Sequence, residues 1–99
     1  MITHYRYDYE EYGSNGRLYL REFITVKKTP KGSWVVEHPY GDKQRFILDQ
    51  GTKRFAYPDT DLALKSLIKR KKRQIAILTY QLEDAKHALE LALEQESVK

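Results

Sequence analysis

The sequence predicts an α+β domain in which an antiparallel β-meander of three to five strands precedes one long C-terminal helix. Two observations predict this class. Turn signals recur roughly every ten residues up to residue 57, which is typical of a meander. Residues 59–95 then contain neither glycine nor proline. The chain of 99 residues fits a single domain, with the meander at 1–57 and the helix at 59–95.

The strands are predicted from alternating side chains between turns that each contain glycine or proline. The predicted strands are residues 1–12, Arg17–Lys28, Ser33–His38, Lys43–Leu48 and, as a short edge strand, Lys53–Tyr57. The turns fall at residues 13–16, 29–32, 38–41 and 49–51. The second strand is the clearest. On one of its faces lie Leu18, Leu20, Ile24 and Val26, and on the other lie Tyr19, Arg21, Phe23 and Thr25.

The helix is predicted to begin after Pro58, with Asp59 or Thr60 as its N-cap. Its apolar side chains follow steps of three and four residues, which is a heptad pattern. We call this row the seam; its members are Leu64, Ile68, Lys71, Ile75, Leu78, Leu82, Ala85, Leu89 and Ala92. A helix of this length spans about 55 Å, whereas a six-residue strand spans about 20 Å. We therefore expect the N-terminal half to pack on the sheet and residues 75–93 to form a dimer or higher oligomer.

Charge divides the helix into two halves. The first half is basic, with Lys65 and five consecutive residues from Lys69 to Arg73, and the second half is mainly acidic. The acidic side chains are Glu83, Asp84, Glu90, Glu94 and Glu96. If two copies pair antiparallel about Tyr80, opposite charges meet along the flanks of the seam. The other interpretations of the basic run are a solvated helix face, an acidic protein partner and contacts with phosphates.

Three groups of residues are candidate contact sites. The basic residues Lys69, Arg70, Lys72 and Arg73 are candidates for electrostatic binding, and the oligomer interface is predicted at Ile75, Leu78, Leu82 and Leu89. The first strand carries Tyr5, Tyr7 and Tyr9 on one face. Tyrosine suits recognition surfaces because it is rigid and apolar with one polar tip. The alternative is that the tyrosine row packs over the sheet.

Composition argues against several classes of function. The chain has no cysteine, its three histidines are isolated in sequence, and no serine lies in a nucleophile elbow. We therefore expect a protein that is not an enzyme and has no metal or cofactor. No apolar run approaches the roughly 20 residues of a membrane span, and the N-terminus lacks a signal-peptide core. The expected location is the cytoplasm, without a membrane partner. The net charge of +4 favours polyanions only weakly.

The segment from Lys53 to Pro58, followed by residues 62–68 and 70–75, is similar to small accessory proteins encoded by bacteriophages and prophages. In those proteins a meander with a tryptophan-containing strand precedes an aromatic-Ala-Tyr-Pro element and a long basic helix. The resemblance covers residues 34–92. It implies expression in the cytoplasm of an infected bacterium and stoichiometric binding to host enzymes or defence complexes, including inhibition of CRISPR effectors. It carries over no site residues.

The leading hypothesis is therefore a phage-type accessory protein that binds and modulates, by inhibition, a host protein or nucleoprotein complex such as a defence system. Direct nucleic-acid binding without sequence specificity, through the basic helix, is the first alternative. The second alternative is an oligomer that sequesters a small nucleotide between subunits, with Arg70 or Arg73 at the rim of the pocket.

Overall fold

The computed structural model describes residues 2–13, 15–39, 41–51 and 53–98. It contains a four-stranded antiparallel sheet with strand order β1-β2-β3-β4, followed by one long helix. The elements are β1 (Thr3–Tyr12), β2 (Asn15–Lys28), β3 (Gly32–His38), β4 (Arg45–Leu48) and α1 (Thr60–Ser97). The predicted α+β class, with a meander followed by a long helix, is confirmed. The chain divides into two units, Met1–Leu67 and Ile68–Lys99, which are described separately below.

The strands begin one or two residues from their predicted starts: β1 begins at Thr3 rather than residue 1, and β3 at Gly32 rather than Ser33. β2 starts at Asn15 rather than Arg17, because Tyr12 pairs directly with Asn15 and the first hairpin is tighter than a turn over residues 13–16. β4 starts at Arg45 rather than Lys43. The turn at residues 29–32 is confirmed by a backbone hydrogen bond of 2.8 Å from Thr29 N to Gly32 O. Ser14 and Tyr40, which belong to two of the predicted turns, lie outside the described residues.

The predicted edge strand at Lys53–Tyr57 is wrong. Within this segment only Tyr57 pairs with the sheet, through an isolated bridge to Tyr5 on the outer edge of β1. The two backbone hydrogen bonds of the bridge measure 2.6 and 2.9 Å. Phe55 and Ala56 instead pack against the face of the sheet, which bends the segment away from a strand path. The chain thus leaves β4 at one edge, crosses one face and returns to the opposite edge.

The core lies on the face that this segment covers, which we call the inner face. It consists of Phe23, Val35, Ile47 and Ala56, with Phe55 packed against them. The rings of Phe23 and Phe55 meet edge to face at 5.2 Å. Side chains alternate between the two faces of a strand. Because Phe23 lies in the core, the face of β2 that carries Arg21 and Phe23 is the inner one, and the face that carries Leu20 is the outer one.

A cluster of charged side chains continues the inner face beyond the core. Arg21 donates to both carboxylate oxygens of Glu37, at 2.8 and 2.9 Å, and to Asp8 at 2.9 Å. The hydrogen bond from Arg21 lowers the pKa of Glu37 below its usual range. Arg6 and Arg45 lie 4.5 and 4.2 Å from the centre of the Phe55 ring. The guanidinium groups therefore cover an aromatic ring that would otherwise face water.

His4 is a buried polar residue of the inner face, 5% exposed and paired in register with Phe23. Its Nδ1 has no hydrogen-bond partner among the described residues. Burial lowers the pKa of His4 because the charged form is desolvated. In the unfolded chain this pKa returns to about 6.5.

The free energy of unfolding is therefore expected to fall as the pH drops from 7.5 to 5.5, since the unfolded state binds a proton that the folded state resists. The slope attributable to one proton is at most about 1.4 kcal/mol per pH unit. Urea unfolding followed by Trp34 fluorescence at several pH values measures it. In the variant His4→Gln, which cannot titrate, this slope should be smaller; an unchanged slope would assign it to other groups.

The N-terminus of α1 has the predicted cap. Asp59 Oδ1 accepts a 2.7 Å hydrogen bond from the backbone N–H of Asp61, and the carbonyl of Asp59 accepts one of 3.1 Å from Ala63. Ala63 and Leu67 are the buried side chains of the helix. The helix continues without a break past Lys71, where a charge interrupts the seam.

Candidate interaction surfaces

The sheet face opposite the core is apolar; we call it the outer face. The pairing of β1 with β2 places Tyr7 beside Leu20 and Tyr9 beside Leu18. On the other half of the sheet Trp34 pairs with Phe46, and their rings are 5.2 Å apart. The apolar members of the outer face are Tyr5, Tyr7, Tyr9, Leu18, Leu20, Ile24, Trp34, Val36, Phe46 and Leu48. All four strands thus contribute to one apolar surface.

Much of the outer face is open to solvent. Leu18 is 51% exposed, Tyr9 50% and Trp34 37%, and Leu20, Ile24 and Leu48 are exposed as well. The solvent face of an antiparallel sheet is ordinarily polar, because only one face packs on a core. A contiguous apolar surface of this kind is typical of a contact site. Among its charged members are Glu22 and Lys27 on β2, so the surface suits an apolar partner rather than a polyanion.

The predicted tyrosine row lies on this outer face, and its members differ in exposure. Tyr5 and Tyr7 are half-buried, whereas Tyr9 is exposed. Packing therefore covers more of Tyr5 and Tyr7 than of Tyr9, which is 50% exposed. Sequence reasoning missed the larger surface around the row. The signal was present in the alternation of Leu18, Leu20 and Ile24, but alternation alone does not say which face is covered.

In the unit Ile68–Lys99, the seam is exposed throughout. The predicted interface residues Ile75, Leu78, Leu82 and Leu89 are 63%, 54%, 55% and 59% exposed. Every described residue after Arg70 is exposed. The last buried residue of α1 is Leu67, so packing covers only about the first two turns of the helix. The prediction that the whole N-terminal half packs on the sheet is therefore wrong. The seam therefore finds no cover within the described part of the chain.

The basic candidates lie on different sides of the helix, because successive residues are about 100° apart. Arg70 is half-buried, whereas Lys69, Lys72 and Arg73 are exposed. Within the described chain none of these three exposed residues forms an ion pair. Lys71 donates to Gln74 at 3.1 Å, and Lys86 lies 3.6 Å from Glu83. The helix thus presents basic side chains on several sides and does not form a single basic surface.

The described residues contain neither a cluster of metal-binding side chains nor a helix able to span a membrane. No three histidine, aspartate or glutamate side chains converge on a position that would hold a metal ion. The helix of this part of the chain is not apolar enough to cross a membrane. An open pocket is lined by Pro30, Lys31, Leu48, Asp49 and Gln50. Neither Arg70 nor Arg73, the residues predicted at the rim of a nucleotide pocket, lines it.

Comparison with known proteins gave no relative. No family model, no curated protein and no solved structure matches the chain. The candidate surfaces therefore rest on the exposure, charge and position of this chain's own side chains.

Proposed function

We propose that the protein is a non-enzymatic binding protein that self-associates through α1 and binds another protein through the outer face of the sheet. In the setting that the phage resemblance implies, the partner is a bacterial host protein or nucleoprotein complex, which the binding inhibits. The observation that carries the proposal is the exposure of two apolar surfaces, namely the outer face and the seam. Water contact with such surfaces is unfavourable by about 25 cal/mol for each Å² of apolar area.

The seam provides the reason for self-association. Four large aliphatic side chains, Ile75, Leu78, Leu82 and Leu89, lie on one side of the helix and are each more than half exposed. Most helical stability in proteins comes from packing of such an apolar side. A second copy supplies a matching side, and coiled-coil packing of the two seams buries these residues.

Charge favours an antiparallel pair. Glu94 and Glu96 lie in the last turns of α1, where no basic residue is present to oppose the negative end of the helix dipole. An antiparallel partner brings its basic first half to this end. In antiparallel pairs the same flank of each helix meets its equivalent. On one flank, spaced by about 100° per residue, lie both Lys69 and Lys72 and the acidic residues Glu90 and Glu94.

The outer face provides the reason for a protein partner. Its exposed side chains include Tyr9 and Trp34, which are aromatic residues of the kind that dominate protein interfaces. Its small charge disfavours phosphate-rich ligands. A protein that binds its partner through such a surface, at a fixed molar ratio, can block or alter the activity of the partner without catalysing a reaction itself.

The test compares capture of bacterial proteins by the wild-type chain and by the outer-face variant Leu20→Lys. We expect one protein to be captured by the wild type at a fixed molar ratio and to be lost with the variant. The matched control is Thr79→Lys, which adds the same charge on the exposed helix and should retain capture. Binding of the purified partner should also change the emission of Trp34, which is the only tryptophan in the chain.

The proposed protein partner is contradicted if Leu20→Lys is folded and captures as well as the wild type. Folding is checked through the unfolding transition of each variant. Because both substitutions add one positive charge, a loss that occurs with both would indicate electrostatic repulsion rather than docking on the outer face.

Nucleic-acid binding through the basic run is the second candidate, favoured by the exposure of Lys69, Lys72 and Arg73. Each phosphate contact releases counterions, so the affinity would fall steeply between about 50 and 200 mM salt. Fluorescence anisotropy with labelled DNA and RNA over this range tests the candidate. Capture that survives nuclease treatment and higher salt favours the protein partner instead.

A further inference from the structure

Helix α1 carries a second apolar stripe on the side away from the seam. Ile77 is 47% exposed, Tyr80 74% and Leu91 52%. At about 100° per residue, Ile77 lies about 200° around the helix from Ile75 of the seam. From Ile77 the row continues by steps of three and four residues. We call this row the second stripe; its members are Ile77, Tyr80, Ala88 and Leu91, with Asp84 in line between them.

The side of the helix between the seam and the second stripe is uncharged over residues 74–95. It consists of Gln74 and Gln81, bordered by Ala85 and Ala92 of the seam. The charged side chains of this segment, apart from Asp84, fall in one sector about 100° wide. They are Glu83, Lys86, Glu90 and Glu94, with His87 in the same sector. Apart from Asp84, residues 74–95 are therefore uncharged around roughly two-thirds of the helix circumference, which is broader than the narrow seam of a two-stranded coiled coil.

The charged residues in line with the second stripe indicate that its partner is another copy of the chain. Arg73 lies at the N-terminal end of the stripe and Asp84 within it, eleven positions apart in the sequence, or about three helical turns. An antiparallel contact centred between Leu78 and Thr79 sets Arg73 of one copy beside Asp84 of another, and the symmetry repeats this pair. The same contact sets Ile77 beside Tyr80. The second stripe is therefore self-complementary in both charge and apolar surface.

We propose that the second stripe binds a further copy of the chain, so that each α1 contacts two others and the protein is a homotetramer built around a bundle of four helices. This inference rests on the proposed function, since the seam is taken to form one of the two contacts. Gln74, Gln81, Ala85 and Ala92 then lie toward the bundle axis, where the small alanine side chains allow helices to approach closely. The charged sector remains in water.

The experiment is the mass of the full chain in solution by light scattering and by native mass spectrometry. The expected mass is four times the chain mass of 11.8 kDa. The double variant Ile77→Lys/Leu91→Lys should have half the mass of the wild type, because it keeps the seam and loses the second stripe. The matched control Gln44→Lys/Gln50→Lys adds the same charge at exposed positions outside α1 and should remain a tetramer.

A wild-type mass of two chains overturns the tetramer and leaves the seam dimer of the proposed function intact. A mass of one chain overturns both. A tetramer that persists in Ile77→Lys/Leu91→Lys overturns the role of the second stripe. Circular dichroism at 222 nm identifies any variant whose helix has melted, and the milder variant Ile77→Ser/Leu91→Ser, expected to shift the tetramer–dimer midpoint at least tenfold in concentration, then decides.

Discussion

Replacing Phe23 by alanine is expected to lower the free energy of unfolding of the sheet unit by about 3–5 kcal/mol, the usual cost of removing a buried phenylalanine. Phe23 is 2% exposed and forms the edge-to-face contact with Phe55. Small domains have a total stability of only about 5–15 kcal/mol, so the variant should be partly unfolded at 37 °C. Urea unfolding followed by the fluorescence of Trp34, which lies on β3, measures the loss.

The matched control is Leu20→Ala on the same strand. Leu20 lies on the outer face and is 39% exposed, so we expect its substitution to cost less than about 1 kcal/mol. The pair tests directly which side of β2 faces the core. A larger loss for Leu20→Ala than for Phe23→Ala would show that the two faces have been assigned the wrong way round.

Reversing the charge of Lys69 and Lys72 together is expected to weaken self-association roughly 100-fold, because each exposed pair contributes about 0.5–1 kcal/mol and both ends of an antiparallel contact are affected. In the variant Lys69→Glu/Lys72→Glu, acidic side chains face Glu90 and Glu94 of the other copy. Sedimentation equilibrium at low salt measures the dissociation constant. The effect should shrink as the ionic strength rises.

Adding Glu90→Lys/Glu94→Lys to the same chain should restore association, since the charges are then exchanged rather than removed. Failure of this rescue would contradict the antiparallel order. Orientation has an independent measure because the chain has no cysteine. Spin labels at Glu94→Cys should lie about 42 Å apart along the axis of an antiparallel pair about Tyr80, whereas labels at Gln81→Cys should be close. A parallel pair would bring both labels close.

Much of the fold was predictable from the sequence. Period-2 alternation and regularly spaced turns predicted the meander, and the uninterrupted segment after Pro58 predicted the helix and a cap at Asp59 or Thr60, of which the structure has Asp59. The orientation of the sheet was not predictable. Alternation in β2 defines two sets of side chains but does not say which is buried. That choice depends on Phe55 and Ala56, which cover the face of Phe23 from a distant part of the chain.

The candidate sites were predictable to different degrees. The heptad row that contains Ile75 and Leu89 can be read directly from sequence spacing, and both residues are exposed; their contact with a second copy stays a prediction. The outer face was missed, since it joins four strands and only the pairing register brings Tyr9 and Leu18 together. The second stripe could have been predicted from the spacing of Ile77 and Leu91. It was not, because the seam on the other side of the helix has the more regular heptad spacing.

The bridge between Tyr57 and Tyr5 has a consequence for how the protein avoids aggregation. An unpaired edge strand is a template on which other chains add strands without limit. Here the edge of β1 has its backbone groups at Tyr5 occupied by Tyr57, and the opposite edge, β4, is only four residues long. Strand addition is thereby disfavoured at Tyr5 on the edge of β1 and along the short strand β4. Main-chain pairing would accept any partner sequence, whereas the association proposed above uses side-chain contacts, which select their partner.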